Sequence, residues 1–487
     1  MARNLSKSKY ISGLQCEKRL WLEINDPEKA APMSEATERI LEQGTEVGIL
    51  AREQFQGGVL INFDRSNIKN GIDQTRKAIS EGAKIIYEAT FLFDDTYALT
   101  DIIKRNKDGS WGIIEVKSAT SIKDEYIPDL AVQKYVLEGS DLKISKTKLM
   151  YLNEECVYPD LSNLFIIEDL TDKVNGIIQK IPADLQKFKS LILEREQPHV
   201  LIGPHCSKPY ACPFIDYCWH GFENMTVFEI PRINKNKQLE LRAEGILTID
   251  ELPLDYPLSE AQRDYVNRIL NKEINIDKGG IAQRLLELEY PIYFLDVETF
   301  NPAIPRFTGM SPYNQFPFQY SCHVMKSNGV IDHFEYLHVD KTDPREPLIK
   351  SLLASIRKRG SIVCYSIGSE RGIITKLGGA FPDYYDDLKS ISERLWDQKK
   401  IFDYYYKDFR FANTISLKAV LPVLLPELTY DNLAIQEGTE AQVIWEQMIN
   451  TEDDGEKREM IADLRAYCRM DTLALVEIHK HLLEKLN

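Results

Sequence analysis

Apolar and polar positions alternate most regularly between residues 85 and 117. There IIYEATFLF, YALTDII and WGIIEVK carry the β-branched and aromatic residues that strands favour. The Asp108-Gly109 pair turns the chain between the last two, so they form a hairpin. DLAVQKYVLE, residues 129–138, then starts a helix. Further on, YPIYFLDVETF reads as a buried strand, with Leu295 and Val297 on one face and Asp296 and Glu298 on the other. IVCYSIGSERGIITKL is a strand followed by a helix start, and Asp403 in KKIFDYYY reads as a structural residue at a strand end. In the last segment Ile461, Leu464, Cys468, Leu475 and Val476 recur at helical spacing, which predicts one long helix.

These patterns predict an α/β multidomain chain in three regions. Residues 1–220 are a mixed α/β domain bracketed by cysteines. Residues 221–285 are a polar helical connector, and residues 286–487 are a second α/β domain. In the connector, LRAEGILTIDELP places Gly245 between two helical stretches. It reads either as a helix-hairpin-helix-like grip on a phosphate through backbone N–H groups or as a plain spacer. No internal repeat or low-complexity tract interrupts the chain.

A length of 487 residues, 43% hydrophobic and 28% charged, describes a globular protein of two or three domains. The net charge of −15 argues against a broadly basic surface for duplex nucleic acid, but leaves room for a local basic channel. No apolar run is long enough to cross a bilayer, and MARNLSKSKYISGLQ lacks the apolar core of a secretory signal. The expectation is a cytoplasmic protein with no membrane partner, in which clustered cysteines bind metal rather than form disulfides.

Asp101 lies on the first strand of the hairpin, and Glu115 and Lys117 lie two apart on the second, so their side chains share a face. Two carboxylates and an ammonium at one sheet edge suit phosphodiester hydrolysis. The acids hold Mg²⁺ or Mn²⁺, while the lysine orients a water and stabilises developing charge. Glu88 upstream offers a further carboxylate, and the following helix carries Gln133 and Tyr135. An exposed hairpin that merely alternates charge is the plainer alternative. The order Glu, Asp, Glu-x-Lys, then a helix with Gln and Tyr resembles the PD-(D/E)XK nucleases of RecB type. Within them it resembles the iron–sulfur branch found in CRISPR spacer acquisition and recombination nucleases. The resemblance implies a restriction-endonuclease-like fold, with Asp101 and Glu115 as metal ligands, Lys117 catalytic, and Glu88, Gln133 and Tyr135 supporting. Thr100 stands where that family has a proline, and EQGTEVGILAREQF lacks its early histidine, with Glu46 as the available substitute.

PHCSKPYACPFIDYCWH brings Cys206, Cys212 and Cys218 together, and Cys16 in GLQCEKRLW is the one early cysteine. Four thiolates suit an iron–sulfur cluster or zinc, and spacing alone does not separate them. The same resemblance implies a [4Fe–4S] cluster that ties the two ends of the domain together, with zinc as the alternative. Cys156, Cys322, Cys364 and Cys468 are scattered and read as packing residues.

Asp296 and Glu298 form a second acidic pair, whose burial is costly unless cations neutralise it, as in a two-metal site. RAYCRMDTLAL sets Tyr467 and Asp471 four apart on one helix face, so Asp471 reaches a metal while the Tyr467 hydroxyl orients water. Glu370 is the best further acid, and Asp403 the alternative. Strand pair first and helix pair last, this order resembles the DEDD exonucleases of DnaQ type, in the tyrosine subgroup, with an RNase H-like fold. The family norm of Asn then Phe-Asp is replaced here by Glu370. Nearly the whole chain, through PFQYSCH, Asp343–Arg345, ISLKAVLP and YCRMDT, resembles a bacterial family of largely uncharacterised function that joins two such domains. The resemblances imply a two-headed, Mg²⁺- or Mn²⁺-dependent DNA exonuclease acting on single strands or ends, in repair or antiviral defence. An RNA-processing 3′–5′ exonuclease and a nucleic-acid-binding scaffold with inactive heads are the competing expectations.

Overall fold

In a computed structural model of the chain, the strand-forming runs of the first 170 residues pair into one mixed seven-stranded sheet. The structure describes residues 4–64, 67–222 and 226–486. The strand order is Val59–Leu60, Ile85–Phe93, Thr96–Arg105, Trp111–Lys117, Ile144–Leu152, Phe165–Asp169, with Leu5–Ser6 lying along the start of Thr96–Arg105. The hairpin closes at Gly109, whose φ of +84° is the left-handed conformation that glycine tolerates. Its register puts Ile102 opposite Ile114 and Ile103 opposite Ile113. The helix Tyr126–Gly139 carries the chain over to the parallel neighbour Ile144–Leu152. That helix buries Leu130, Val136 and Leu137 against the sheet, in a core shared with Ile113, Leu149 and Phe188.

The second sheet is ordered Ile331–Leu337, Phe316–Met325, Ile292–Phe300, Ile362–Cys364, Leu395–Asp397. The first two pairings are antiparallel and the next two parallel. Phe316–Met325 is buried along its whole length, as a strand covered on both faces must be. The terminal helix Asp454–Leu486 docks on it through buried polar bonds. Gln319 Nε2 donates to the Leu464 carbonyl (2.8 Å), and Thr472 Oγ1 meets Ser321 Oγ (2.7 Å) and His323 Nδ1 (2.8 Å). Ser321 is also the register partner of Asp296, and Gln319 that of Glu298, so the strand that grips the helix also flanks the acids. Among the described residues no helix is long and apolar enough to cross a membrane.

Both halves are therefore α/β with mixed sheets, and the chain divides into two compact units. The first comprises Met1–Glu223, Gln238–Gly245 and Pro302–Tyr313. The second comprises Asn224–Lys237, Ile246–Asn301 and Asn314–Asn487. The connector thus folds largely as part of the second unit.

Two expectations are corrected here. Asp403 does not sit at a strand end, because Lys399–Tyr404 is a helix that buries Ile401 and Phe402, and the strand Tyr406–Asp408 starts only after it. Of the two helical stretches around Gly245, only Lys235–Ala243 forms, and residues 246–258 are turns and irregular chain. The Leu247 and Thr248 amides donate to the Glu251 carboxylate at 2.9 and 3.1 Å, so they are not free to grip a phosphate.

Candidate functional site

In the first unit, Asp101, Glu115, Lys117 and Gln133 converge. Glu115, 2% exposed, accepts from Lys7 Nζ and Lys117 Nζ on Oε1 (2.8 Å each) and from Gln133 Nε2 on Oε2 (2.7 Å). Burial alone would raise its pKa, but Lys117 and Lys7 outweigh burial and hold the carboxyl well below the usual range. The Asp101 Oδ2 accepts from the Val116 amide at 2.7 Å, yet burial and then Glu115 push this carboxyl up to about 7. Glu88 has a left-handed φ of +55° and drops out of the strand ladder between Tyr87 and Ala89. Burial and then the Glu115 charge raise its pKa, against the pull of Arg52 and Lys7.

Two residues that sequence reasoning missed complete this network. Asp129 accepts from Lys117 (2.6 Å) and pairs with Lys7 (3.1 Å). Its signal was its place four residues before Gln133, on the same helix face. Lys7 lies on the short N-terminal helix Lys7–Gln15 and gave no local signal. Tyr135 lies apart from the network. Two residues beyond Gln133 it is about 200° round the helix, where its ring packs edge-on to Phe93 and its hydroxyl donates to Asp94 at 3.2 Å.

The four predicted cysteines line one cavity of the first unit and form no disulfide. Cys16 joins the helices Lys7–Gln15 and Glu17–Asn25, and the Cys212 amide donates to the Cys206 carbonyl at 2.9 Å. Gln15 Nε2 reaches across to the carbonyls of His205 (2.8 Å) and Tyr210 (2.7 Å), which fastens the early helix to the cysteine loop. Burial, and then the facing sulfurs Cys206 and Cys218, raise the Cys16 thiol pKa; burial and the same neighbourhood push Cys212 up to about 11. These four soft donors fit a metal centre, because a bound cation supplies the stabilisation that lets them ionise.

In the second unit, Asp296 and Glu298 project from Ile292–Phe300 beside Cys468, with one ligand atom of each within 4.8 Å of the others. Burial and then Glu370 push Asp296 up to about 7. Burial, then Asp296 and Asp471, raise Glu298 well above the carboxylate range. Burial and then Asp296 push Asp471 up to about 8, although its Oδ1 accepts from the Tyr430 hydroxyl at 2.6 Å. Glu370, in the first turn of Ile367–Ala380, is buried with an unpartnered Oε2 and is pushed up to about 7 by burial and Asp397.

The Tyr467 hydroxyl lies 3.1 Å from Lys418 Nζ, whose ammonium sits over the Tyr467 and Tyr430 rings. Lys418 is the cation that offsets Asp296, Glu298 and Asp471. Neither Lys418 nor Tyr430 was legible as a site residue. Cys468 is fully buried, as expected of a packing residue, and also puts its Sγ 3.6 Å from Asp296 Oδ2. Its position three before Asp471 is on the same helix turn, and that was the missed signal. Asp403, the alternative acid, is salt-bridged to Lys399 (3.0 Å) within its own helix and is not part of this group.

Residues 293–415 match a family described as a domain of unknown function, DUF2779. The chain is 22% identical over 352 residues to the uncharacterized protein UU173 of Ureaplasma parvum serovar 3, covering 66% of this chain. The chain spans about half the length of that curated relative, 50%. A crystal structure of SSO0001 aligns at 12% identity with a TM-score of 0.21, over 45% of this chain and 86% of that one.

Proposed function

We propose that the chain is a divalent-metal-dependent nuclease with two hydrolytic heads, acting on single-stranded DNA or DNA ends. The observation that carries it is the meeting of Asp296, Glu298 and Asp471, with Glu370 beside Asp296, all with raised pKa values, the Lys418 charge offsetting the first three only in part. Such a group is held together by protons or by cations, and hydrolytic metal sites are built this way. We read the second unit as RNase H-like, a reading supported by its two antiparallel and two parallel pairings around Ile292–Phe300. The first is read as PD-(D/E)XK-like, supported by Asp101, Glu115 and Lys117 meeting on adjoining strands.

Mg²⁺ or Mn²⁺ bound by Asp296, Glu298 and Asp471, and by Asp101 and Glu115, would supply positive charge for the attacking and leaving oxygens. The Tyr467 hydroxyl, steadied by Lys418, orients the attacking water in one head. In the other, Lys117 orients the water and offsets developing charge, and Gln133 fixes the Glu115 carboxylate. Cys16, Cys206, Cys212 and Cys218 would hold a [4Fe–4S] cluster in a structural role.

The test is degradation of DNA labelled at the 5′ or 3′ end, with Mn²⁺ or Mg²⁺, by the intact chain, Lys117→Ala and Asp296→Ala, purified without oxygen. Loss of a different product pattern with each substitution supports two heads. DNA left intact by the unsubstituted chain refutes the reading, and RNA is then the substrate to try. A second reading, in which the first unit binds without cutting, is favoured by one observation: Glu115 is already neutralised by Lys7 and Lys117. Under it, Asp296→Ala removes all cleavage and Lys117→Ala removes none.

A further inference from the structure

The second unit holds a cavity of about 710 Å³ that none of the assignments above uses. One wall comes from the connector, through Arg232, Lys237 and the helix Glu260–Asn271 with Arg268. The facing wall is the segment from Lys399 to Ile415. In a chain of net charge −15, the lining carries five cations, Arg232, Lys237, Arg268, Lys399 and Lys407. Its two acids are already occupied. Asp403 accepts from Lys399 at 3.0 and 3.2 Å, and Asp408 is gripped by Arg410 at 2.9 and 2.5 Å.

Arg232 and Arg268 have no ion-pair partner among the described residues, and Arg268 lies over the Tyr265 ring at 5.7 Å. Lys407 is spent on the helix end, donating to the Phe402 carbonyl at 3.1 Å. Burial and then Arg268 lower its pKa, with Asp403 opposing and Lys399 adding, so cations of the two walls repel each other across the cavity. An anion placed among them relieves that repulsion. Arg232 and Ala412, on opposite walls, also hold left-handed φ values of +54° and +48°, a strain kept where surrounding structure demands it.

The cavity is tied to the carboxylate site. Ile415 lines it, and Lys418, three residues on, touches Tyr467, so at most about 11 Å of chain separates the two. The Tyr365 hydroxyl donates to the Ile415 carbonyl at 2.7 Å, and Tyr365 leads into the helix that carries Glu370.

We infer that this cavity binds the phosphodiester backbone of the single-stranded polynucleotide whose end occupies the Asp296–Glu298–Asp471 site. The inference rests on the nuclease reading for its substrate. A backbone fits better than a single phosphate because the cations are spread over both walls rather than focused on one point.

The test uses the full chain in EDTA. It measures fluorescence anisotropy of labelled oligothymidylate and oligouridylate of about 20 nucleotides, longer than the roughly 4–16 that a single-strand site covers. Arg232→Glu with Arg268→Glu is compared with Lys358→Glu, a control whose side chain is 90% exposed elsewhere on the same unit. The double variant is expected to bind roughly tenfold or more weakly, with a salt slope smaller by about 1.4, while the control is unchanged. Equal affinity and slope in the double variant overturn the inference, as does absence of binding by the unsubstituted chain. Tm measured alongside shows whether the variant is folded. Because no metal is present, hydrolysis of the same oligomers with Mn²⁺ is a separate readout. Cleavage with groove-independent binding defeats this inference alone, and groove-dependent binding without cleavage defeats the nuclease reading alone.

Discussion

Replacing an acid in the second site is expected to stabilise the metal-free protein. The perturbation is Asp471→Asn in the full chain, with divalent ions chelated. Asp471 is pushed from 3.8 to about 8, first by burial and then by Asp296; Asp296 is pushed from 3.8 to about 7, by burial and Glu370. A carboxyl whose folded value lies above its unfolded value favours the fold while protonated. That contribution is complete below the unfolded value and is withdrawn as pH climbs to the folded one, here from about pH 4 to about pH 8. At about 1.4 kcal/mol per pH unit, the Asp471 shift sets a ceiling near ~6 kcal/mol. The neighbouring acids share protons with Asp471, so one replacement recovers on the order of 2–3 kcal/mol. The asparagine carbonyl still accepts the Tyr430 hydroxyl that now lies 2.6 Å from Asp471, so the swap breaks no hydrogen bond there. The assay is thermal unfolding at pH 6 and pH 8 in chelator. At roughly 2–4 °C per kcal/mol for a domain of this size, the variant transition should lie about 5–10 °C higher at pH 8 and differ less at pH 6. Adding Mn²⁺ should then raise the unsubstituted chain, by about 2.7 kcal/mol at a hundredfold excess over Kd, and hardly move the variant. A variant that melts below the unsubstituted chain at pH 8, or an unsubstituted transition that ignores pH between about 5 and 8, would refute the reasoning.

Three further outcomes are expected. Chain purified without oxygen should contain iron and acid-labile sulfide in equal amounts, both lost in Cys16→Ser together with protease resistance of the first unit; zinc without sulfide would overturn the cluster. Lys7→Ala should destabilise the first unit by roughly 3 kcal/mol, because it strips a cation from the buried Glu115 carboxylate. Lys7→Arg should restore much of that loss, and an unchanged Tm in Lys7→Ala would count against the pairing. Lys418→Ala should lower kcat roughly 10- to 100-fold by releasing Tyr467. Partial rescue by Lys418→Arg at constant KM separates positioning from substrate binding, and a fall in affinity alone would contradict it.

Local periodicity made part of both sites legible. Strand period two put Glu115 with Lys117, and Asp296 with Glu298; helical spacing put Tyr467 with Asp471. The same geometry, applied fully, also puts Tyr135 on the far side from Gln133 and brings Cys468 to the face of Asp471. The errors there came from reading sequence order instead of helix angle. Lys7, Lys418 and Tyr430 were not legible, because the two lysines reach their sites by tertiary packing from helices without acids of their own and Tyr430 from a bend outside any helix or strand. Asp403 is structural, as read, but the aromatics of Phe402–Tyr406 placed it at a strand end, whereas two buried side chains and a Lys399 bridge put it in a helix and the strand begins only at Tyr406.

The two sites solve the same electrostatic problem in opposite ways. In the first unit Glu115 is surrounded by ammonium groups and a carboxamide, so its charge is compensated by the chain itself, and the strain falls on Asp101, pushed up to about 7. In the second unit Lys418 is the one ammonium among the described residues that offsets Asp296, Glu298 and Asp471, and further compensation comes from protons or added cations. Metal removal should therefore act unequally. Chelation leaves the first site a closed salt-bridge network whose geometry hardly changes. In the second it leaves acids that, as they lose their protons toward pH 8, repel one another and weaken the docking of Asp454–Leu486 on Phe316–Met325, since Asp471 adjoins Thr472, the residue that bonds Ser321 and His323. Hydrogen exchange in chelator at pH 8 should accordingly quicken around residues 464–472 and not around residues 111–117. The reverse pattern would mean that Glu115, not the acids of the second site, depends on metal for its charge.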